Sequence, residues 1–403
     1  MLLTVAWRNI WRNKARSLVI MIAIALGLWA GAFLMAYAFG VAKQRIQDAI
    51  ASEISHIQIH HPEFEKEMLP IYTIPNGDGI SEELHADSLV AGVSPRVIAA
   101  GMVGSANNSL GGQFVGITPE EEDKVTGLST KIIEGTYFEG VKRNPILLGE
   151  KLANKLKVKE RSKVVLTFQD VNGEIVAGAF RVVGIYRTHN TTFDEMNLFV
   201  RAEDLNSLLG SKGHHQMAIL LKDVNNLKQV KSGLISNHSD ALIEDWKEVA
   251  PELGLIIDSF DQYMDIFIGI ILLTLSFGIV NTMLMAVLER VKEIGMLMAV
   301  GMNKTRIFSM IFLETLFIVM FAAPLGLLLA MATIYYTGNV GLDLSAVSDA
   351  YASFGFKSRI YPELEFYYYM RIMVLVVIAA ILSSIYPAIT ALRLNPVEAI
   401  RKL

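Results

Sequence analysis

The chain has 403 residues, 52% of them hydrophobic and 19% charged, with a formal net charge of −4. That balance is too apolar for an ordinary soluble protein and too charged for a chain lying wholly in lipid, so it predicts membrane spans together with a sizeable aqueous domain. No basic face points to nucleic acid as a partner, and the absence of cysteine excludes disulfides, thiolate chemistry and zinc–cysteine sites.

Residues 1–16, containing AWRNIWRNKAR, read as an amphipathic interfacial helix. Trp7 and Trp11 stand i, i+4 for the headgroup region, and Arg8, Arg12, Lys14 and Arg16 face anionic lipid. A charge-free apolar run over 17–42 meets the length of about 20 residues that a spanning helix needs. Ala36-Tyr37-Ala38 fits the small-x-small pattern of signal-peptide cleavage, yet the run exceeds a signal core of about 7–15 residues, which predicts a retained anchor.

Residues 43–262 read as an α+β domain. SEISHIQIHHPEF alternates, with Ile57 and Ile59 on one face and His56, Gln58 and His60 on the other, which predicts a half-buried strand. VSPRVIAAGMVGS and GGQFVGITPEEE read as strands, NPILLGEKLANKLKVK as a strand, a turn and a short helix, and the runs around Asn172-Gly173 as a hairpin. HADSLVAGVSP and NLKQVKSGLISNHSDALIEDWKEV read as helix-rich. GLIIDSFDQYMDIF reads as a stem feeding the second span.

That span is 263–288. A charged amphipathic helix is predicted over 289–306, a third span over 307–337, a short loop over 338–369, a fourth span over 370–392 and a tail over 393–403. The fold class expected is therefore an α-helical membrane domain of four transmembrane helices with an α+β domain inserted between helices 1 and 2. Basic residues flank the spans at Arg8, Arg12, Lys14 and Arg16, at Arg290, Lys292, Lys304 and Arg306, and at Arg393, Arg401 and Lys402. The positive-inside rule puts these clusters and both termini in the cytoplasm, with 43–262 and 338–369 outside.

Chemistry is sparse. The sequence contains no G-x-x-x-x-G-K-[ST] phosphate loop, no G-x-S-x-G elbow and no H-E-x-x-H helix. His56, His60 and His61 form the densest histidine group. Two of them share a strand face four residues apart, too far to bind one ion unaided, so a solvated strand face is expected, no metal is assigned, and His214-His215 reads as a loop. Glu314, inside the third span, is expected to pair with Arg306 or Arg290, with a gating role as the alternative. Asn281 reads as an interhelical hydrogen-bonding residue ahead of a substrate contact, and Pro324 and Pro387 should kink or end their helices.

In ERVKEIGMLMAVGMNKTRI, the residues Val291, Ile294, Leu297, Met298 and Gly301 form a 3.6-period apolar stripe, opposed early on by Glu289, Lys292 and Glu293 and later by Met296 and Val300. The second half is thus apolar nearly all round, which suits a helix wedged between its own spans and another protein. An ordinary loop helix is the plainer alternative. Gly295 and Gly301 permit close approach or a sharp turn.

The segment resembles the signature E-R-x-x-E-I-G-x-L-x-A-x-G of the FtsX/MacB/LolC–LolE family of ABC transporter permeases, matched here by Glu289, Arg290, Glu293, Ile294, Gly295, Leu297, Ala299 and Gly301. AWRNIWRNKARS resembles the family's N-terminal helix, ILLGEKLANKLKV…VVLTF…FRVVGIY its periplasmic domain, and YPAITALRLNPVEAIRKL its tail, with Pro387, Ala388, Ala391, Pro396, Glu398, Ala399 and Arg401 in place. The resemblance runs the length of the chain and is nearest to the lipoprotein-releasing LolC/LolE branch.

The resemblance implies a non-catalytic permease subunit in the bacterial inner membrane. Its partners would be a cytoplasmic ABC ATPase dimer, which holds ATP and magnesium, and a second permease subunit, as a homodimer or a LolC/LolE-like heterodimer. It implies lipoprotein or lipid-like cargo taken from the outer leaflet and a periplasmic carrier as a further candidate partner. Coupling would run through Glu289, Arg290, Lys292, Glu293, Ile294, Gly295, Leu297, Met298 and Gly301. A cargo cavity would be lined by Phe33, Tyr37, Phe39, Phe267 and Ile271, chosen by position in the first two spans. The alternative is an FtsX-like mechanotransmission subunit that regulates a periplasmic enzyme and moves no cargo.

Overall fold

The computed structural model describes residues 2–12, 14–140, 143–345 and 356–393. The chain divides into two units, one of residues 1–41, 259–343 and 359–403 and the other of residues 42–258 and 344–358. Helix α1 spans Leu2–Arg12, and α2 spans Lys14–Ala49 and runs on into one π-helical turn at Ile50–Ile54. The expected boundary at residue 42 therefore falls inside a helix. Lys43, Gln44 and Arg45 are polar but good helix formers, so the helix outlasts the apolar run.

The second unit is α+β. In chain order it holds β1 (Ile57–His60), α3 (Phe64–Glu67), α4 (Gly77–Ala86), β2 (Val90–Gly104), β3 (Ser109–Ile117), α5 (Pro119–Thr126), β4 (Ile132–Gly135), β5 (Pro145–Gly149) and α6 (Glu150–Leu156). There follow β6 (Lys163–Gln169), β7 (Ile175–Tyr186), α7 (Thr191–Met196), β8 (Asn197–Arg201), α8 (Ala202–Leu209), β9 (Gln216–Leu221), α9 (Leu227–Asn237), β10 (Leu242–Asp245), α10 (Trp246–Val249) and α11 (Pro251–Asp258). Ten strands form one sheet in the order β10-β1-β9-β2-β3-β8-β5-β7-β4, with β6 pairing both β2 and β7. Strand β2 is 15 residues long and joins two regions, because its first half pairs β9 while its second half pairs β3 and β6. Each region has its own core, one around Phe114, Leu148, Leu166, Phe180 and Leu205, the other around Ile57, Ile59, Leu84, Met217 and Ile219.

Three expectations are corrected here. HADSLVAGVSP is not helix-rich: α4 stops at Ala86, and from Val90 the β-branched residues pair with β9. Within NLKQVKSGLISNHSDALIEDWKEV, Leu242–Asp245 forms the edge strand β10, held antiparallel to β1 with Ile59 opposite Ile243. Strand β1 is buried on both faces instead of half-solvated, and His60 is only 4% exposed, because Phe64 of α3 stacks over its ring at 6.4 Å. His215 is likewise buried, accepting from Ile98 N at 3.0 Å.

The first unit is helical. Beyond α1 and the start of α2 it contains α12 (Phe260–Glu289), α13 (Val291–Ala299), α14 (Lys304–Val340), a two-residue pair of strands β11 (Leu342–Asp343) and β12 (Arg359–Ile360), and α15 (Phe366–Leu392). Four helices among the described residues are long and apolar enough to cross a membrane. Their inward faces form one core through Ile24, Leu28, Ile268, Met283, Val319 and Val376. Outward faces carry Leu26, Phe277, Leu328 and Val374, all more than half exposed or nearly so, as a lipid-facing surface requires. Pro324 and Pro387 both sit inside their helices and end neither. Asn281 is exposed on α12, facing out of this helix cluster.

Helices α2 and α14 approach closely at Gly326, where an added Cβ would lie 2.5 Å from the Ala25 carbonyl oxygen. Trp29 Nε1 donates to Thr333 Oγ1 at 3.0 Å farther along the same contact. Gly326→Leu is expected to cost at least about 1–3 kcal/mol by overpacking, read as a lowered unfolding midpoint in detergent. Gly269→Leu, at a position with nothing within 4 Å, should leave the midpoint unchanged.

Candidate functional site

The turn between α12 and α14 is built by local rules. Arg290, at φ −104° and ψ 17°, leaves the helical region and separates α12 from α13. Helix α13 then runs nine residues and closes on Gly301, whose φ of 95° favours glycine. Met302 N donates to Leu297 O at 2.9 Å and Gly301 N to Met298 O at 3.0 Å, the paired bonds of a Schellman cap. Asn303 then caps α14, accepting from Thr305 N at 3.2 Å. The predicted single helix over 289–306 is thus a nine-residue helix between two breaks, because residues 300–303 are given over to ending one helix and starting the next.

Around this elbow charges alternate in sign. Arg12, the last residue of α1, donates through Nη2 to both carboxylate oxygens of Glu293 at 2.5 and 2.6 Å. Arg290 donates Nε to Glu293 at 3.2 Å and Nη1 to Glu314 at 3.2 and 3.3 Å. Arg16 pairs with Glu289. Glu314 therefore finds Arg290 of the two partners expected for it, and its side chain is only 11% exposed. The hydrogen bonds from Arg12, reinforced by Arg290, hold the Glu293 carboxyl below the usual carboxylate range against the opposing effect of burial, so it stays ionised near neutrality. A polar cavity of about 250 Å³ lies among these side chains, bounded by Asn9, Arg12, Arg16, Glu289, Arg290 and Glu293.

The faces of α13 differ. Ile294 and Gly295 are buried, and Leu297 and Met298 are half-buried, with Met298 packed on the helical core. Lys292, Met296, Ala299, Val300 and Gly301 are exposed, Val300 at 89%. Of the nine residues expected to couple, then, Glu289, Arg290 and Glu293 are engaged within the chain, Ile294, Gly295, Leu297 and Met298 face inward, and Lys292 and Gly301 face out. Met296 and Val300, which the signature does not mark, provide the apolar part of the outward face. The i, i+4 spacing that opposes them to the inward stripe was the available signal. Trp7 packs against Phe317 and Phe321 of α14, with ring centroids at 5.9 and 5.4 Å, so α1 is held by the membrane unit itself as well as suited to an interface.

The five residues expected at a cargo cavity lie where α2 meets α12 or near it. Phe33, Phe267 and Ile271 are half-buried against the helical core, and the Ile271 side chain is seated over Gly31. Phe39 pairs with Phe260, ring centroids 4.9 Å apart, and Tyr37 is half-buried. The contact is filled by the chain's own side chains. In the C-terminal motif, Pro387, Ala388 and Ala391 are buried in α15, whereas Pro396, Glu398, Ala399 and Arg401 lie outside the described residues.

Residues 17–236 match the MacB-like periplasmic core domain, and residues 266–396 match the FtsX-like permease C-terminal region. Across 99% of this chain and 97% of its own length, an uncharacterized ABC transporter permease of Methanocaldococcus jannaschii is 23% identical. The lipoprotein-releasing system transmembrane protein LolC of Xylella fastidiosa is 21% identical over 78% of each chain. The macrolide export ATP-binding/permease protein MacB of Neisseria gonorrhoeae is 22% identical over 83% of this chain and 54% of its own length. Among solved structures, the periplasmic region of MacB from Actinobacillus actinomycetemcomitans aligns over 52% of this chain and 98% of that one, at 13% identity and a TM-score of 0.37.

Proposed function

This chain belongs to the ABC transporter permeases that combine a MacB-like periplasmic core domain with an FtsX-like C-terminal region, and we propose that it couples ATP hydrolysis by a separate cytoplasmic ATPase to movement of its outer domain. The observation that carries this reading is the elbow. A short helix between two spans is pinned on one side by Arg12, Arg290 and Glu314 and presents Met296 and Val300 on the other. Such a helix moves as one piece with the spans that flank it. A push on its free face is therefore delivered to α12 and α14 instead of being lost in a flexible loop.

In this reading the clusters of Arg8, Arg12 and Arg16 and of Lys292, Lys304 and Arg306 lie in the cytoplasm. The ATPase dimer, with ATP and magnesium, acts there, and a second permease subunit completes the complex. The work done is extraction of a lipoprotein or comparable amphiphile from the outer leaflet of the membrane. The similarity to LolC over 78% of both chains supports this cargo class. Loading between α2 and α12 requires the Gly31–Ile271 contact to open, which would expose Phe33, Phe267 and Ile271 to the acyl chains.

The test is to purify the chain with its ATPase partner, reconstitute it in nanodiscs, and identify what it retains by mass spectrometry before and after ATP. Retention of an acylated or amphiphilic molecule that ATP releases is the expected result. A complex that holds no such molecule, yet switches a periplasmic hydrolase on with ATP, would replace extraction by mechanotransmission.

A further inference from the structure

His60 lies on β1, with His56 too distant along the strand to join it at an ion. The sheet and the neighbouring helix supply other donors. A ring nitrogen of His60 and one carboxylate oxygen each of Glu65 and Glu244 lie within 4.8 Å of one another. Glu65 comes from α3, which follows β1 directly. Glu244 comes from β10, where it stands opposite Gln58 of β1. His60 and Glu65 are near neighbours in sequence, but 179 positions separate Glu65 from Glu244 by their numbering.

Two of these groups are incompletely satisfied. His60 is 4% exposed, its Nε2 lies 3.0 Å from Gln58 Oε1, and its Nδ1 is buried without a hydrogen-bond partner. Glu244 Oε2 is also buried with no donor beside it, its polar neighbour being the Glu65 carboxyl. A buried polar atom left unpaired costs about 1–3 kcal/mol, and here two of them belong to one cluster.

The histidine is also oriented. Gln58 Oε1 accepts from Gln216 Nε2 at 2.7 Å, Gln216 Oε1 accepts from Arg96 Nη1 at 2.9 Å, and Arg96 donates Nε and Nη2 to the buried Glu122, both at 2.8 Å. The chain of contacts fixes Gln58, and Phe64 lies parallel to the imidazole at an interplanar angle of 7°. Nε2 is also the ring nitrogen that lies 3.9 Å from Glu65 Oε1, so ligation through it would exchange the Gln58 contact for the ion.

We propose that His60, Glu65 and Glu244 form a divalent-cation site in the outer unit, with Zn²⁺ as the best-matched ion. One imidazole and two carboxylates suit borderline divalent transition ions, and three protein ligands leave a fourth position to water. Tetrahedral zinc at its usual bond lengths brings ligand atoms to about 3.3 Å of one another. The present spacing must therefore contract. Glu65 is the ligand able to do so, since its side chain is 41% exposed while His60 is fixed. The bound ion would tie α3 to the β1–β10 pair, the two strands through which the outer unit's chain enters and leaves. Neither the ATPase partner nor the cargo enters this inference.

The experiment uses the full-length protein in detergent, without a polyhistidine tag, stripped with chelator and titrated with ZnCl₂ by calorimetry. One tight site per chain is expected, together with a zinc-dependent rise in the unfolding midpoint. Glu65→Gln, at an exposed side chain, should fold as the wild type does and weaken zinc binding at least about tenfold. Glu244→Gln should do the same, and in both variants the midpoint rise should disappear. Other histidines meet single carboxylates, as in His238 with Glu83 at 3.0 Å and His214 with Asp78 at 3.4 Å, and zinc held there would not respond to either substitution. Binding that both variants retain, or no binding by the wild type, overturns the site.

Discussion

Arg290→Met is expected to destabilise the helical unit by an amount toward the lower end of about 3–5 kcal/mol, the range for breaking a buried ion pair from one side. Arg290 and Glu314 have side chains only 17% and 11% exposed, and the pair is made at 3.2 Å. Ten residues of α14 separate Glu314 from Lys304, so it lies about 15 Å along the helix from the elbow. Removing the guanidinium leaves a carboxylate there without its hydrogen-bonding partner. The polar cavity beside it and the charges of Arg12 and Arg16 soften the loss, which is why the lower end applies. Arg290→Met with Glu314→Leu removes both charges and keeps the volume, and it should recover most of the stability. Unfolding midpoints of the single and double variants in detergent decide the matter. A single variant as stable as the wild type would mean that the pair holds nothing in place.

The four spans were legible because an apolar run of that length has few other places to go. Their ends were not. Hydropathy reports where lipid is, whereas the α2 helix continues through Lys43, Gln44 and Arg45 to Ala49, where Ile46 and Ala49 pack against Trp246 and Leu253. The α+β unit was read well where pairing is local, as in the β6–β7 hairpin around Asn172-Gly173. It was misread at Leu242–Asp245, four residues between a helix and the Asp245 capping box, whose strand character comes wholly from pairing with β1 far back in the chain. The same distinction governs the sites. Arg290 was one of the two partners expected for Glu314 near the end of its span, but the Arg12–Glu293 bonds span 281 positions and leave no periodic trace. The histidine pattern on β1 was visible, while the carboxylates beside His60 come from elements whose placement the sequence does not announce.

Val300→Asp is expected to weaken binding of the ATPase partner about thirtyfold or more, and to reduce stimulation of its ATP hydrolysis accordingly. An apolar anchor at the centre of an interface contributes about 2 kcal/mol or more when removed, and each 1.4 kcal/mol is about a factor of ten. A carboxylate adds the cost of its own desolvation in a groove built for apolar groups. The residue suits this test because it is 89% exposed, with Met296 beside it one turn back at 53%. At that exposure its side chain contributes little to the packing of the chain itself. The internal cost is limited to an acidic group at a helix C-terminus, about 0.3–1 kcal/mol, too little to unfold the protein. Glu293→Gln supplies the contrast: it weakens the tie from Arg12 and alters how α13 is held, leaving the free face unchanged. It should therefore preserve ATPase binding while reducing the transmission of its stroke. Pull-down affinity and ATPase rate, measured side by side on the two variants, separate the face that is gripped from the bonds that carry the force. If Val300→Asp binds and stimulates as the wild type does, the partner docks elsewhere and the outward face of α13 has no part in coupling.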